Sequence, residues 1–220
     1  MFREIELLSP GQVAELKRIA ATANFVDGRI SNPNSQVKQN LQLHDDNALQ
    51  RSSQLLLQAL MAHEDFRNFA FPVAISPPLM TRYTKGMRYG VHPDAAFIRL
   101  PNLTVRSDLS CTIFLSDPAS YEGGALRIHL GTRDLRFKGK PGTAIVYPSN
   151  QLHEVEEVTA GERLVAITFI ESQIVDQTCR ELLYELNEVK ALEGLKMDWA
   201  NRTRLEHVSS SLHRMWGTSS

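Results

Sequence analysis

Hydrophobic spacing divides the chain into three zones. Up to about residue 65 the pattern is helical: Ser9-Pro10 reads as a cap followed by proline at the first helical position. Val13, Leu16, Ile19, Ala20 and Ala23 then recur with a 3.6-residue period. A second helix is predicted from about Asn47 to His63, with Leu49, Ser52, Leu56, Ala59 and Leu60 inward. Between the two, Asp27 to Asp46 is rich in Asn, Gln, Ser and Gly and reads as a long loop. From about Phe69 to Gln173 the period shortens to two. Strands are predicted at Leu79–Thr84, Arg88–Val91, Ser107–Leu115, Ala125–Leu130, Leu135–Phe137, Thr143–Tyr147, Leu152–Val158 and Leu164–Ile170, separated by glycine-bearing turns. In the third of these, Leu109, Cys111, Ile113 and Leu115 share one face, and Asp108, Ser110 and Thr112 the other. Eight short strands suit two sheets of a jelly roll. The final zone is helical again, one helix marked by Cys179, Leu182, Leu183, Leu186 and Val189, another by Leu205, Val208, Leu212, Met215 and Trp216. The fold class expected is therefore α+β, a β core with flanking N- and C-terminal helices.

Composition narrows the field. The chain has 220 residues, enough for one domain with a proper core, and 24 Lys+Arg against 25 Asp+Glu leave a net charge of −1. That balance offers no electrostatic footprint for a nucleic acid. No apolar run is long enough to span a bilayer, and the start, Met-Phe-Arg-Glu-Ile-Glu, lacks the apolar stretch of a signal peptide. Cys111 and Cys179 cannot make a disulfide framework. A reducing, cytoplasmic setting is the expectation, with Cys111 a small core residue and Cys179 packed on its helix.

Seven histidines remain to be explained. His92-Pro93-Asp94 closes one predicted strand, His153 starts another 61 residues later, and Arg163 opens the last. Residues i and i+2 of an extended segment point to one side and can grip one ion. Two imidazoles and a carboxylate hold non-haem Fe(II) on one octahedral face, with positions left open for substrate and oxygen. Arg163 shares a strand face with Val165, Ile167 and Phe169. A charge on an apolar face is costly unless an anion meets it, and guanidinium is the bidentate partner a carboxylate wants. Each residue alone also has an ordinary reading: Pro93 as a turn, His153 as a satisfied histidine, Arg163 as a surface partner of Glu162 or Glu171. His129 is expected on the surface, and His44, His63, His207 and His213 away from any metal. Gly123-Gly124 reads as a turn leading into a strand rather than a phosphate cradle, because no helix follows it.

These residues also carry a family resemblance. The stretches Leu79-Met80-Thr81-Arg82-Tyr83, Gly86-Met87, Gly90 to Asp94, Arg106 to Ser110, Phe114 to Pro118, Tyr121 to Gly124, Val146-Tyr147-Pro148, Leu152 to Val155 and Gly161-Glu162-Arg163 resemble the PKHD-type hydroxylases. These belong to the prolyl/lysyl-hydroxylase branch of the Fe(II)/2-oxoglutarate dioxygenases. Lys38 to Leu43 and Leu212 to Trp216 add to the likeness, which therefore spans nearly the whole chain. The resemblance implies a double-stranded β-helix with His92, Asp94 and His153 as iron ligands. Arg163 would bind the distal carboxylate of 2-oxoglutarate, with Tyr83 supporting it. It further implies oxidative decarboxylation of 2-oxoglutarate to succinate and CO2 coupled to hydroxylation of an unactivated C–H, with L-ascorbate keeping the iron reduced. Pro93 and Ala95 depart from the family pattern, leave every ligand in place, and fall at the expected mouth of the site. The substrate expected is a small, amino-acid-like molecule or a peptide, since little chain is left for a protein-docking domain. Residues 1–175 are expected to form the dioxygenase domain and 176–220 a helical extension packed on it, which could also mediate a homodimer. The long loop could serve as a lid. The competing reading is a non-catalytic jelly-roll metal-binding or ligand-sensing protein, which leaves Arg163 without an anion.

Overall fold

The structure, a computed structural model, describes residues 1–218. Ser9 caps the first helix, Pro10–Thr22: its hydroxyl accepts the Gln12 N–H while the Gln12 side chain accepts the Ser9 N–H. Such a reciprocal box is worth about 1 kcal/mol. The face that the spacing predicts is the one buried, through Val13, Leu16, Ile19 and Ala20. Asp45 caps the second helix, Asp46–Ala62, which buries Ser52, Leu56, Ala59 and Leu60. His63 then breaks the pattern and caps a short helix, Glu64–Ala70, by accepting the Phe66 N–H.

Four antiparallel sheets form the β portion of the fold. The large one runs Arg3–Glu6, Thr143–Pro148, Leu109–Phe114, Arg163–Ser172, Leu79–Tyr83, Leu41–Leu43, Phe25–Asp27, with Pro72–Ile75 also pairing to Arg163–Ser172. The smaller one runs Arg133–Phe137, Leu126–Leu130, His153–Val155, Arg88–His92, Lys38–Gln39. Tyr121–Gly123 pairs with Val158–Gly161, and Phe97–Leu100 with Leu103–Arg106. The strict alternation of the central strands gives the large sheet two different faces. Leu109, Cys111, Ile113, Leu164, Ala166 and Ile170 pack outward against Leu16, Leu56, Phe66 and their neighbours on the helices. Phe114, Ile145, Tyr147 and Val165 pack inward against Leu126 and Ile128 of the smaller sheet. The α+β jelly-roll expectation is met, with Cys111 in the core as expected.

Several local expectations need correction. The first zone is not wholly helical, because Arg3–Glu6 forms an edge strand on Thr143–Pro148. The supposed loop from Asp27 to Asp46 contributes Lys38–Gln39 to one sheet and Leu41–Leu43 to the other. These strands are too short to show a period of their own. The hairpin from Phe97 to Arg106 leaves no clear signal in the sequence, because it is largely exposed and Val105 is the one buried residue among Phe97–Leu100 and Leu103–Arg106. The C-terminal helices form, at Gln177–Glu193 and Trp199–Trp216, but their apolar stripes are not all covered. Leu183 and Tyr184 are buried, whereas Leu182, Val189, Val208 and Met215 stand exposed together with Leu192, Leu195 and Trp199. Helical spacing says which residues share a face; it does not supply the surface that covers it. No helix among the described residues is long and apolar enough to cross a membrane.

A candidate metal centre between the sheets

The local geometry begins with a bulge. Val155 pairs with Tyr89 and His153 with His92, so a step of two on one strand faces a step of three on the other. The extra residue turns His92 to the face that Tyr89 already occupies and leaves Val91 exposed. Without it, strict alternation would point His92 away from His153.

The result is a compact cluster. One potential ligand atom from each of His92, Asp94 and His153 lies within 4.8 Å of the others. The two imidazole centroids are 4.4 Å apart, and His153 Nε2 is 3.6 Å from Asp94 Oδ2. Each ring is oriented by the backbone: His92 Nδ1 meets the Gly90 carbonyl at 2.8 Å and His153 Nδ1 the Gln151 carbonyl at 2.9 Å. A carbonyl can only accept, so Nδ1 carries the proton and Nε2 presents its lone pair, the arrangement metal-binding histidines use. Ser110 donates to Asp94 Oδ2 at 2.5 Å and shares a second contact with Ser149 at 2.7 Å. Burial holds His92 down to about 4, with His153 adding to the effect, and pushes the Asp94 carboxyl up. The histidine is therefore neutral and free to donate at ordinary pH.

Arg163 lies in the same cavity, on the facing sheet. It is 1% exposed, and its Nε and Nη1 are buried without a hydrogen-bond partner. Its guanidinium carbon sits 4.9 Å from the centroid of the Tyr83 ring, and the Tyr121 phenol also faces it. Tyr83 is buried directly across from Arg163 in the strand register, and its phenol oxygen accepts from Asn40 Nδ2 at 2.9 Å. Burial raises the Tyr83 phenol, and the Arg163 charge opposes that rise. A buried cation with two unused N–H groups is an expensive feature unless an anion completes it.

The cavity opens into a mouth of about 790 Å³ that shares Lys38, Tyr89, His92, Asp94, Ile167 and Phe169 with it. Pro93 and Ala95 lie at this mouth, where the sequence places them. All the predicted site residues, His92, Asp94, His153, Arg163 and Tyr83, line the inner cavity. The sequence reading missed Ser110, Tyr147, Lys38 and Asn40, which line it too. A signal for Ser110 was present, since polar residues alternate through a strand whose six residues are all buried. The expected outsiders stay outside: His63 caps a helix and His213 bonds to Gln173 at 2.7 Å. His129 is a partial correction, being half-buried and held by Asp134 at 2.8 Å because Arg127 and Glu154 crowd the same sheet face. Gly123 and Gly124 both take positive φ, 68° and 63°, in the turn expected there.

Such a fold and site define a class. A sequence model described as the 2OG-Fe(II) oxygenase superfamily matches residues 78–171, and the protein is an Fe(II)/2-oxoglutarate dioxygenase. A PKHD-type hydroxylase of Sphingopyxis alaskensis is 61% identical over 98% of this chain and 99% of its own length. Another, from Stenotrophomonas maltophilia, is 37% identical over 96% of each. The chain belongs to the PKHD-type hydroxylases. Solved structures agree on the fold: a Pseudomonas putida prolyl-4-hydroxylase (TM-score 0.53, 18% identity, 78% of this chain and 92% of that one). A Trichoplax adhaerens prolyl hydroxylase in complex with a hypoxia inducible factor peptide fragment superposes with a TM-score of 0.59 at 14% identity, covering 77% of this chain and 83% of that one.

Proposed function

We propose that His92, Asp94 and His153 hold the Fe(II) and that Arg163, with Tyr83 beside it, clamps the distal carboxylate of 2-oxoglutarate. The observation that carries this is the buried Arg163 with Nε and Nη1 unpartnered, in one cavity with the three-ligand cluster. Two imidazoles and one carboxylate suit Fe(II), and they leave ligand positions for the cosubstrate. A dicarboxylate suits the rest: a fixed cation deep in the fold anchors one end while the other reaches the metal. With dioxygen as the oxidant, Fe(II) and 2-oxoglutarate bound there would supply an oxidative decarboxylation to succinate and CO2, one oxygen atom entering succinate and the other the hydroxyl placed on a C–H.

The chain's own contribution is position and dryness. Ser110 fixes the carboxylate of Asp94, and the Gly90 and Gln151 carbonyls fix the two rings. Ile167 and Phe169 form an apolar wall shared by the inner cavity and the mouth, limiting water beside the reacting carbon. A mouth of about 790 Å³ suits a small molecule or one residue of a peptide as the substrate. Ascorbate would serve to keep the iron reduced.

Purified protein with Fe(II), ascorbate and 2-oxoglutarate is expected to release succinate slowly without substrate. The release should vanish in Asp94→Ala and fall in Arg163→Ala. A protein that binds metal but yields no succinate, with no loss of metal in His153→Ala, would instead support a ligand-sensing module.

A further inference from the structure

We infer that Lys38 is a specificity-determining residue that receives a carboxylate of the substrate. The inference rests on the dioxygenase reading above and adds to it the charge class of the substrate. Lys38 sits on the edge strand Lys38–Gln39, next to the strand that carries His92. Register places Phe137, Leu126, Val155, Tyr89 and Lys38 in one rank across the smaller sheet. Leu126, Val155 and Tyr89 from that rank line the inner cavity, so Lys38 faces inward with them and is 8% exposed. It borders both the cavity and the mouth, as the His92 and Asp94 side chains do.

A buried ammonium needs partners for three N–H groups and for its charge. Lys38 donates to Ser31 Oγ at 2.7 Å and lies 5.6 Å from the centroid of the Tyr89 ring. Among the described residues no carboxylate forms an ion pair with it: of the two that act on its charge, Asp27 is engaged by Arg29 and Asp94 belongs to the three-residue cluster. Burial lowers the lysine pKa while Asp27 and Asp94 work against that. The charge of the assembled site argues the same way. Asp94 offsets one of the two cations, Arg163 and Lys38, and a dianionic cosubstrate offsets a divalent metal. One positive charge is left in a closed, low-dielectric space, at Lys38 on the side of the mouth, and a monoanionic group would neutralise it. Arg99, exposed on the rim, adds attraction for an arriving anion.

The carboxylate could belong to a free small acid or to a peptide terminus or side chain, and the test separates the two. Protein loaded with redox-inert Zn(II) and saturated with 2-oxoglutarate is titrated in a calorimeter with acetate, butyrate and hexanoate, and with short N-acetylated peptides ending in a free acid. Each is compared with its own primary amide. At least one acid is expected to bind about ten- to a hundredfold tighter than its amide, the effect of one hydrogen bond to a charged group. Lys38→Met should erase the difference and Lys38→Arg should keep most of it, while 2-oxoglutarate affinity stays within about twofold, less than the effect of one ordinary hydrogen bond. A response to the simple acids alone marks a small-molecule substrate; a response to the peptides alone marks a peptide. The assignment is overturned if no acid outbinds its amide, if Lys38→Met leaves the difference intact, or if it weakens 2-oxoglutarate equally. Failure of the unsubstituted protein to bind Zn(II) and 2-oxoglutarate would sink the parent reading instead.

Discussion

Replacing Arg163 by methionine should separate stability from function with opposite signs. Arg163 is 1% exposed, and two of its guanidinium nitrogens have no partner within the protein. The effective cost of burying an uncompensated ion is several kcal/mol. Against it stands the Tyr83 ring at 4.9 Å, worth about 1–2 kcal/mol for a desolvated cation over a ring, with the Tyr121 phenol facing the same charge. Methionine fills similar volume without the charge, so Arg163→Met should leave the ligand-free protein between about equal and 2 kcal/mol more stable. For a chain of this length that is a rise in Tm of roughly 0–8 °C. Function moves the other way. Losing two charge-assisted hydrogen bonds to a carboxylate removes about 3–6 kcal/mol, a hundredfold to ten-thousandfold in 2-oxoglutarate affinity. Thermal melts of the Zn(II)-loaded protein read both. 2-Oxoglutarate at a hundred times the parent's Kd should stabilise the parent by about 2.7 kcal/mol and the variant by about 0.4 kcal/mol or less. A ligand-free Tm lowered by more than about 5 °C, against the balance above, would make Arg163 a structural residue and refute the reasoning. So would an unchanged response to 2-oxoglutarate.

Four other outcomes follow from the geometry. In the metal-free protein the His92 ring should titrate near 4 by NMR rather than near 6.5, because burial disfavours its charged form. Its folded pKa is depressed, so its contribution to stability is full above 6.5 and is lost as pH falls towards about 4, while the raised Asp94 carboxyl opposes that trend above its ordinary 3.8. A His92 midpoint near 6.5 would contradict the burial. Ser110→Ala removes the 2.5 Å hydrogen bond that aims Asp94 and should weaken metal binding about ten- to a hundredfold in a chelator competition, with little change in Tm. Gly124→Ala would put a Cβ 2.8 Å from Val158 Cγ2 and 3.2 Å from Arg163 Cδ at a φ of +63°, and should cost about 2–4 kcal/mol in urea denaturation while weakening 2-oxoglutarate. We also propose that a second copy covers the exposed Leu192, Leu195 and Trp199; analytical sedimentation should show a dimer that Leu195→Glu dissociates, and a monomer mass for the parent chain would end that idea.

How much of this was legible in the sequence depends on what each feature rests on. The long central strands declared themselves because both of their faces are buried against something, helices on one side and the second sheet on the other. Arg163 was legible for the same reason: a charge in step with Val165, Ile167 and Phe169 conflicts with the pattern around it, and such conflicts mark function. Lys38–Gln39 and the hairpin from Phe97 to Arg106 were not legible. Their hydrogen bonds are made to segments far along the chain or to each other at the surface, and neither leaves a hydrophobic period to read.

The bulge at His92 belongs to a third kind. Alternation counted on from Tyr89 puts Val91 inside and His92 outside, and a reading by period alone would have separated His92 from His153. What resolves it is a local backbone requirement. Gly90 has to give its N–H to the Val37 carbonyl at 3.0 Å and its own carbonyl to the His92 ring at 2.8 Å, and a Cβ there would lie 3.0 Å from Val37 Cβ. The same glycine thus docks the segment leading into Lys38 and orients the first imidazole. Moving Val37 against Gly90 would therefore disturb Lys38 and His92 together, so the two are coupled through backbone as well as through the Tyr89 ring that lies between them.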